Sequence, residues 1–331
     1  MSFSILLPVR NGGEYVKECV YSILSQTYTD FKLHILDNNS NDGTLKWLNS
    51  LNDERIEITP SPVSLSIEEN WARIRSIKKN EYMTLIGHDD RLLTDFLKEM
   101  KNLIIQFPDA SLYQSHFNYI NAKGDFVRGC KPMSEIYSSA SFLQSQIFRT
   151  FDSMGTGYVM RSEDYDSLGG IPHVYPGLIF ADYELWLRLT DKSFLVTTKH
   201  TLFEYRLHQS VSKTFDAINY QKSFILYLKF LSNFIKNGST LKNVIDNYGY
   251  KFVLFHCKSL SLRLLKEPKH KRQKRVTQFI FECEEITNVL LKSGKKFKPY
   301  MSLKIILSIL IDKSHLLSYL YVFYRKIKYN N

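Results

Sequence analysis

Residues 3–38, FSILLPVRNGGEYVKECVYSILSQTYTDFKLHILDN, contain two short apolar runs separated by one amphipathic segment. The runs at residues 3–9 and 31–38 have the length and composition of buried strands. Between them, apolar residues from Val16 to Leu24 recur at three- and four-residue steps, which places them on one face of a helix. A helix between two strands favours parallel pairing, so this stretch predicts a strand–helix–strand unit.

The same alternation continues along the chain, where residues 55–60 and 81–87 predict a third and a fourth strand. We expect Asn41 to cap the helix that follows the second strand. Ser66 and Glu69 have the spacing of a capping box for the next helix. The predicted fold class is therefore α/β, with a Rossmann-like, mostly parallel sheet flanked by helices and followed by a C-terminal helical region.

The pattern changes twice after the fourth strand. Residues 110 to about 215 mix strand-like runs with helical stretches and contain a hairpin signal at residues 122–125. The apolar spacing then becomes almost wholly helical. We therefore predict one α/β domain over residues 1–215 and a basic, mainly helical region over residues 216–331.

Composition limits the partners and the compartment. The 331 residues include 44 basic and 33 acidic ones, a net charge of +11 that suits anionic partners without choosing among them. The start of the chain lacks the pattern of a signal peptide, and no apolar run is long enough to span a membrane. The cysteines have no metal-ligand or paired spacing and predict reduced thiols in a cytoplasmic protein. They are Cys19, Cys130, Cys257 and Cys283.

Two adjacent acids, Asp89 and Asp90, follow the fourth predicted strand. Neighbouring carboxylates repel each other, so such a pair at a strand end indicates a bound cation. Polar clusters also follow the first and second strands, and the carboxyl ends of parallel strands converge on ligands. The chain has neither the dinucleotide-binding G-x-G-x-x-G turn nor a P-loop signature. A metal-bridged diphosphate of a nucleotide-linked substrate fits these clusters best.

Five segments in order, over roughly residues 2–210, resemble the inverting nucleotide-sugar glycosyltransferases of the GT-A fold, family 2. The segments are SILLPVRNGGEYVKECVYSILSQTY, HILDNNSNDGT, NEYMTLIGHDD, GLIFADYELWLRL and YRLHQSVS. The resemblance implies an enzyme that moves a sugar from a UDP-linked nucleoside-diphosphate donor to a hydroxyl of a surface glycan, which a lipid carrier could hold. It also implies a divalent cation, Mn²⁺ or Mg²⁺, that stabilises the leaving diphosphate.

The resemblance further implies roles for single residues. Asp182 falls where the family keeps its catalytic base, and Asp37 would bind the edge of the nucleobase. The implied contacts to the nucleotide sugar are Pro8, Arg10, Asp37, Asp89 and Arg206. The implied metal ligands are Asp90, as the direct ligand, and His208.

The motifs depart from the family at two places. Gly87 and His88 precede the two acids, so one carboxylate of the common D-x-D-D pattern is missing. Ala181 replaces the acid that commonly precedes the catalytic base. A second hypothesis is therefore a catalytically silent GT-A-fold protein that binds a sugar nucleotide or acts as a scaffold in a glycan-assembly complex.

Each assigned side chain also has a purely structural alternative. Asp37 could cap a turn, while the paired acids and Asp182 could lie at helix N-termini, where negative charge is favourable. His208 could simply be hydrogen-bonded, and Arg206 could pair with a core acid instead of the diphosphate.

The C-terminal region alternates cationic clusters with Leu, Ile, Tyr and Phe. That mixture is typical of an interfacial helix on an anionic membrane, which would make the protein peripheral to the inner face of the cell membrane. The alternative is a helical subdomain with a solvated basic face, and both stay open. No nucleic-acid partner is expected, because no recognised binding pattern accompanies the charge.

Overall fold

The computed structural model describes residues 1–208, 216–236, 239–291 and 295–329. The chain divides into two compact units, here called the sheet unit and the helical unit. The sheet unit comprises Met1–Val174 and Ala181–Ser210, and the helical unit comprises Tyr175–Phe180 and Val211–Asn331. The predicted boundary after residue 215, and the last four residues of YRLHQSVS, lie outside the described residues.

The sheet unit alternates strands and helices in its first half and then becomes mixed. Its strands are β1 (Phe3–Val9), β2 (Phe31–Asp37), β3 (Ile56–Ile58), β4 (Tyr82–Leu85), β5 (Arg91–Leu92), β6 (Leu112–Ile120), β7 (Phe126–Gly129), β8 (Ile136–Ser138), β9 (Tyr158–Arg161) and β10 (Phe194–Arg206). Its α-helices are α1 (Gly13–Leu24), α2 (Thr44–Leu48), α3 (Ile67–Ala72), α4 (Phe96–Gln106), α5 (Ser139–Phe148), α6 (Ser162–Ser167) and α7 (Ala181–Lys192).

The strands form a single sheet in the order β3-β2-β1-β4-β9-β6-β10-β5, while β7 pairs with β6 and β8 pairs with β10. Strands β3, β2, β1 and β4 run parallel, and so do β6 and β10. Strand β9 lies antiparallel between β4 and β6. The α/β class is confirmed, and the carboxyl ends of β1, β2 and β4 lie along one edge of the sheet.

Burial explains why the first elements form where they do. Every residue of β1 is buried, as expected of a strand covered on both faces. Helix α1 buries Val16, Cys19, Val20 and Ile23, the apolar face that the spacing predicts.

Two of the local predictions are confirmed and one is wrong. Ser66 and Glu69 form the capping box of α3, and the residues from 122 to 125 join β6 to β7 as a hairpin. Asn41 does not cap α2, because that helix begins after Gly43, whose φ of 93° is left-handed. Instead, Oδ1 of the neighbouring Asp42 accepts the Thr44 N–H at 3.0 Å.

The helical unit confirms the mainly helical C-terminal prediction. Its α-helices are α8 (Ala217–Phe234), α9 (Thr240–Val244), α10 (Tyr250–Leu264), α11 (Val276–Leu290), α12 (Leu303–Lys313) and α13 (His315–Tyr329). Its interior is aromatic around Phe224, which lies against Phe252 and the His256 ring.

Candidate active site

The loops that follow β1 and β2 are held together by hydrogen bonds. Val9 lies opposite Asp37 in the strand register. Beyond the strands, the Asn11 N–H donates to Ser40 Oγ at 2.9 Å, and the Asn41 N–H donates to Asn11 Oδ1 at 2.9 Å. These bonds satisfy backbone groups that a ligand would otherwise have to satisfy, so the two loops hold each other in place without a ligand.

Asp37, at the end of β2, is completely buried. Its Oδ2 accepts the Ser40 N–H at 3.1 Å, whereas its Oδ1 has no hydrogen-bond partner within the described residues. A buried carboxylate oxygen without a partner is costly, so a ligand N–H that reached Oδ1, after the residues covering Asp37 had moved, would be bound favourably.

The two other residues predicted near the nucleoside lie beside Asp37. Pro8 is buried in β1, opposite Leu36 in β2. Arg10 follows β1 as an exposed side chain, and its Nη2 donates to Ser64 Oγ at 3.1 Å. Arg10 is therefore accessible to a bound molecule, whereas Pro8 is buried within the sheet.

Asp89 and His208 are 119 residues apart in the sequence and come together in the sheet unit. Asp89 Oδ2 and His208 Nε2 are 2.5 Å apart, and the side chains are 22% and 21% exposed. Carboxylate oxygen and imidazole nitrogen are both common metal donors. Among the described residues, no group of three or more His, Cys, Asp or Glu side chains could hold a metal ion. A cation at this pair would therefore need ligands from a bound molecule or from water.

Asp90 has a different environment from its neighbour. It is buried, its Oδ1 accepts the Arg206 N–H at 3.0 Å, and its Oδ2 accepts the Thr156 hydroxyl at 3.1 Å. Burial, followed by the charge of Asp89, raises the pKa of the Asp90 carboxyl well above its usual range. Because both oxygens already have protein donors, the geometry gives Asp90 a structural position and leaves Asp89 open to a ligand.

Arg206 was predicted to contact the donor, but its guanidinium is fully buried among protein acceptors. Its Nη2 donates to Glu18 Oε2 at 2.5 Å, and its Nε donates to the Asp89 carbonyl at 2.8 Å. Its Nη1 donates to the Ala122 carbonyl at 3.2 Å. These contacts correspond to the structural alternative, in which Arg206 pairs with an acid.

Glu18 is a site residue that the sequence did not indicate. It lies on α1, between Arg206 and Arg91, whose Nη1 is 3.4 Å from Glu18 Oε2. Arg91 Nε in turn donates to Glu204 Oε2 at 2.7 Å. These four side chains alternate in charge and connect α1, β5 and β10 next to Asp89 and Asp90.

Asp182 lies in the first turn of α7, where the helix dipole favours the charged carboxylate. Burial outweighs that effect and raises the pKa of Asp182 to about 6. A hydrogen bond from the Tyr183 backbone N–H acts in the opposite direction and lowers the pKa. A carboxyl with a pKa near 6 is ionised at neutral pH and is a better proton acceptor than an ordinary aspartate.

The segment from Met154 to Thr156 connects Asp182 with Asp90. The motifs in the sequence did not indicate this segment either. The Met154 carbonyl accepts the Trp186 indole N–H of α7 at 2.8 Å. A Cβ on Gly155 would lie 3.9 Å from Asp182 Oδ2, and the Thr156 hydroxyl donates to Asp90. The two glycines in MGTG, residues 154–157, were the available signal, since such clusters mark close backbone approach.

Tyr205, on β10, lies near all three acids at this edge of the sheet. Burial is the main cause that raises the pKa of its phenol, and negative charge adds to the effect. In decreasing order, the contributing carboxylates are Asp90, Asp89 and Asp182. The strand ends therefore place Asp89, Asp90 and Asp182 around one tyrosine at the same edge of the sheet.

The chain matches known proteins over its first half. Residues 4–168 match the family model described as glycosyl transferase family 2. The chain is 23% identical over 125 residues to glycosyltransferase GlyG of Streptococcus pneumoniae, covering 37% of this chain and 42% of the relative. It is 31% identical over 133 residues to the chondroitin synthase of Pasteurella multocida, covering 35% and 14%. The chain thus spans less than half the length of either relative.

Solved structures share the fold over nearly the whole chain. Residues 1–349 of S. aureus TarS in complex with UDP-GlcNAc superpose with a TM-score of 0.64 at 13% identity, covering 98% of this chain and 92% of TarS 1–349. Mannosyltransferase PcManGT from Pyrobaculum calidifontis, in complex with GDP-Man and Mn2+, has a TM-score of 0.55 at 10% identity, covering 98% and 87%. At these identities the likeness establishes the fold alone.

The buried charge of Arg206 leads to a test of stability. Arg206→Met leaves Glu18 without its closest partner and buried carbonyls without donors, so the free energy of unfolding should fall by about 2–4 kcal/mol. Urea denaturation followed by tryptophan fluorescence measures this, because all three tryptophans belong to the sheet unit.

The matched control for this test is Arg75→Met. Arg75 is an exposed arginine of the same unit, so its replacement should change the free energy of unfolding by only about 0.5 kcal/mol or less. Equal losses in the two variants would show that Arg206 does not organise the site.

Proposed function

The chain belongs to glycosyltransferase family 2 through residues 4–168, and we propose that it transfers a sugar from UDP to a hydroxyl of a glycan, with inversion at the anomeric carbon. The observation that carries the proposal is the convergence of Asp37, Asp89 with His208, and Asp182 on one edge of the sheet. These groups correspond to the three tasks of such a reaction: binding the nucleobase, holding the diphosphate and removing the acceptor proton.

The single unpaired oxygen of Asp37 supports a uracil base. Uracil offers one N3–H donor, which matches one free acceptor. Cytosine has no hydrogen on N3 and could donate only from its exocyclic N4 amino group, and guanine presents two adjacent donors that would compete with Ser40 for Oδ2. The TarS structures contain UDP-GlcNAc or UDP, which agrees with this choice.

The pair formed by Asp89 and His208 is the proposed holder of a divalent cation, Mn²⁺ or Mg²⁺. The donor set fits, since one carboxylate and one imidazole converge and both remain partly exposed. When bound, such a cation would neutralise charge on the leaving diphosphate. The proposal moves the direct contact from Asp90 to Asp89 and keeps His208. The PcManGT complex contains Mn2+, which agrees with a divalent cation in this fold.

Asp182 is the proposed base. A sugar hydroxyl is a weak nucleophile at neutral pH, so its proton must leave as the oxygen attacks the anomeric carbon. A single displacement on the face opposite the diphosphate inverts the configuration of that carbon. The raised pKa of Asp182 supports this role, because a desolvated carboxylate accepts a proton more readily.

The proposed acceptor is a hydroxyl of a growing surface glycan, consistent with matched relatives named as chondroitin and hyaluronan synthases. Arg206 and Glu18 are assigned to positioning, because Arg206 bonds the backbone of Asp89 and the side chain of Asp90. Pro8 and Arg10 remain the proposed contacts to the nucleoside.

The first prediction from the proposed function concerns the donor site. It is measured by calorimetric titration of UDP and uridine with and without Mn²⁺. Asp89→Asn and His208→Gln should each weaken the Mn²⁺-dependent binding of UDP at least roughly tenfold and leave uridine binding unchanged. Asp37→Asn should weaken both ligands to the same degree, because both share the base.

Two results would contradict this account of the donor. If wild type binds UDP equally well with and without Mn²⁺, the metal role of Asp89 and His208 is wrong. If CDP binds as tightly as UDP, the single-acceptor argument for Asp37 is wrong.

The second prediction concerns the base. Turnover of wild type should fall about tenfold per pH unit below pH 6, as Asp182 becomes protonated. Asp182→Asn should abolish this acid limb and lower kcat by roughly 10²–10⁴-fold while leaving UDP binding unchanged. The matched control, Glu184→Gln in the same helical turn, should retain wild-type activity. Near-normal turnover of Asp182→Asn would remove this residue from the mechanism.

A stability measurement supplies an independent readout for the same variant. The folded state raises the pKa of Asp182, so this group stabilises the fold at low pH, and that contribution is lost as pH rises from about 4 through 6. Asp182→Asn should therefore be more stable than wild type at pH 8, by about 1–3 kcal/mol, and nearly equal to it below pH 4. No gain at pH 8 would mean that the carboxylate is solvated.

A further inference from the structure

Helices α12 and α13 of the helical unit expose an apolar surface, here called the apolar face. On α12 it consists of Leu303, Ile306, Leu307 and Leu310, and on α13 of Leu316, Leu317, Tyr319, Leu320, Phe323, Tyr324 and Ile327. Each of these side chains is at least 39% exposed. Their spacing of three, four and seven residues puts them on one side of each helix. This surface is far larger than scattered exposed hydrophobic residues explain.

The opposite side of these helices is buried and partly polar. Helix α12 buries Ile305, Ser308 and Asp312, and α13 buries Ser318. Arg272 donates to Asp312 Oδ1 at 2.9 Å and to Ser318 Oγ at 2.7 Å. A buried ion pair and a hydroxyl thus attach both helices to Arg272, in the rest of the helical unit. This attachment leaves their apolar sides exposed to solvent.

Within the described residues, no single helix is both long and apolar enough to cross a bilayer. Leu303–Lys313 and His315–Lys328 pass that test only as a pair, and the pair is bent by 110°. A sharp bend between short amphipathic helices is better suited to lying along a surface than to spanning it.

Positive charge accompanies the apolar face. Residues 295–329 contain eight Lys or Arg and one acidic residue, Asp312, which is buried against Arg272. The exposed lysines on the two helices are Lys304, Lys313, Lys326 and Lys328. Lys328 Nζ lies 5.7 Å from the Tyr324 ring, so one cation borders the apolar face directly. Apolar side chains beside an excess of basic residues complement a surface with an apolar interior and negatively charged headgroups.

We propose that the apolar face of α12 and α13 docks on an anionic lipid bilayer, with its leucines and aromatic rings in the boundary between headgroups and acyl chains. Lysines next to that face would contact the anionic headgroups. The tyrosines suit this depth, because each has an apolar ring and a polar hydroxyl. Neither signal alone gives stable anchoring, but apolar burial and a cationic cluster together do.

The test is sedimentation of the full chain with vesicles, and it uses no donor sugar, so its result is independent of the proposed transferase activity. One vesicle is phosphatidylcholine alone and the other contains about one-third phosphatidylglycerol. Wild type should bind the anionic vesicle at least roughly tenfold more tightly, and raising NaCl from about 0.1 M to about 0.5 M should weaken that binding.

Two sets of variants separate the signals. Leu307→Gln/Leu320→Gln/Phe323→Gln should reduce binding to anionic vesicles at least roughly tenfold. Lys313→Gln/Lys326→Gln/Lys328→Gln should remove the preference for the anionic vesicle. The control, Ile105→Gln/Phe126→Gln/Val174→Gln, replaces equally exposed apolar residues of the sheet unit and should bind like wild type. Circular dichroism and urea midpoints confirm that each variant is folded.

Three outcomes would overturn the proposal. Wild type could bind both vesicles equally, or the apolar-face variant could bind like wild type. Alternatively, wild type could fail to bind vesicles and self-associate in analytical ultracentrifugation, with the apolar-face variant monomeric. That last result would make the face a contact between copies of the chain.

Discussion

The buried guanidinium of Arg206 is the interaction on which the site depends. A fully buried cation is tolerated only when acceptors surround it, and here Glu18 and three backbone carbonyls supply them. The Arg206 backbone N–H also donates to Asp90, so one residue fixes both the carbonyl of the first acid and the side chain of the second. This constraint leaves the carboxylate of Asp89 at the surface, beside His208.

The three acids at this edge differ because their surroundings differ. Asp90 is buried and fully hydrogen-bonded, whereas Asp89 is partly exposed beside an imidazole. The pKa of Asp182 is raised by burial at a helix start that would otherwise lower it. Different surroundings give chemically identical groups in one site different proton affinities, and such divergence is common where like groups have different tasks.

Much of this arrangement could be predicted from the sequence, because strand–helix alternation fixes a parallel sheet and a parallel sheet brings strand ends to one edge. That rule located Asp37 and the paired acids. It could not tell which of Asp89 and Asp90 faces inward, since this depends on the turn in which the Asp90 N–H bonds the Gly87 carbonyl. Glu18 and Arg206 are 188 residues apart, and no local pattern connects them. Periodicity also left open which side of α12 is buried, a choice made by Asp312 and Arg272.

The central claim is that a nucleoside diphosphate lies along this edge, with its base at Asp37 and its phosphates at a cation held by Asp89 and His208. A crystal structure of the protein grown with UDP and Mn²⁺, with anomalous data at the manganese edge, tests the claim directly. We expect an anomalous peak bonded to Asp89 Oδ2 and His208 Nε2, and a uracil N3–H donating to Asp37 Oδ1. Bound UDP with the Asp89–His208 pair still in direct contact, and no manganese at it, would contradict the account.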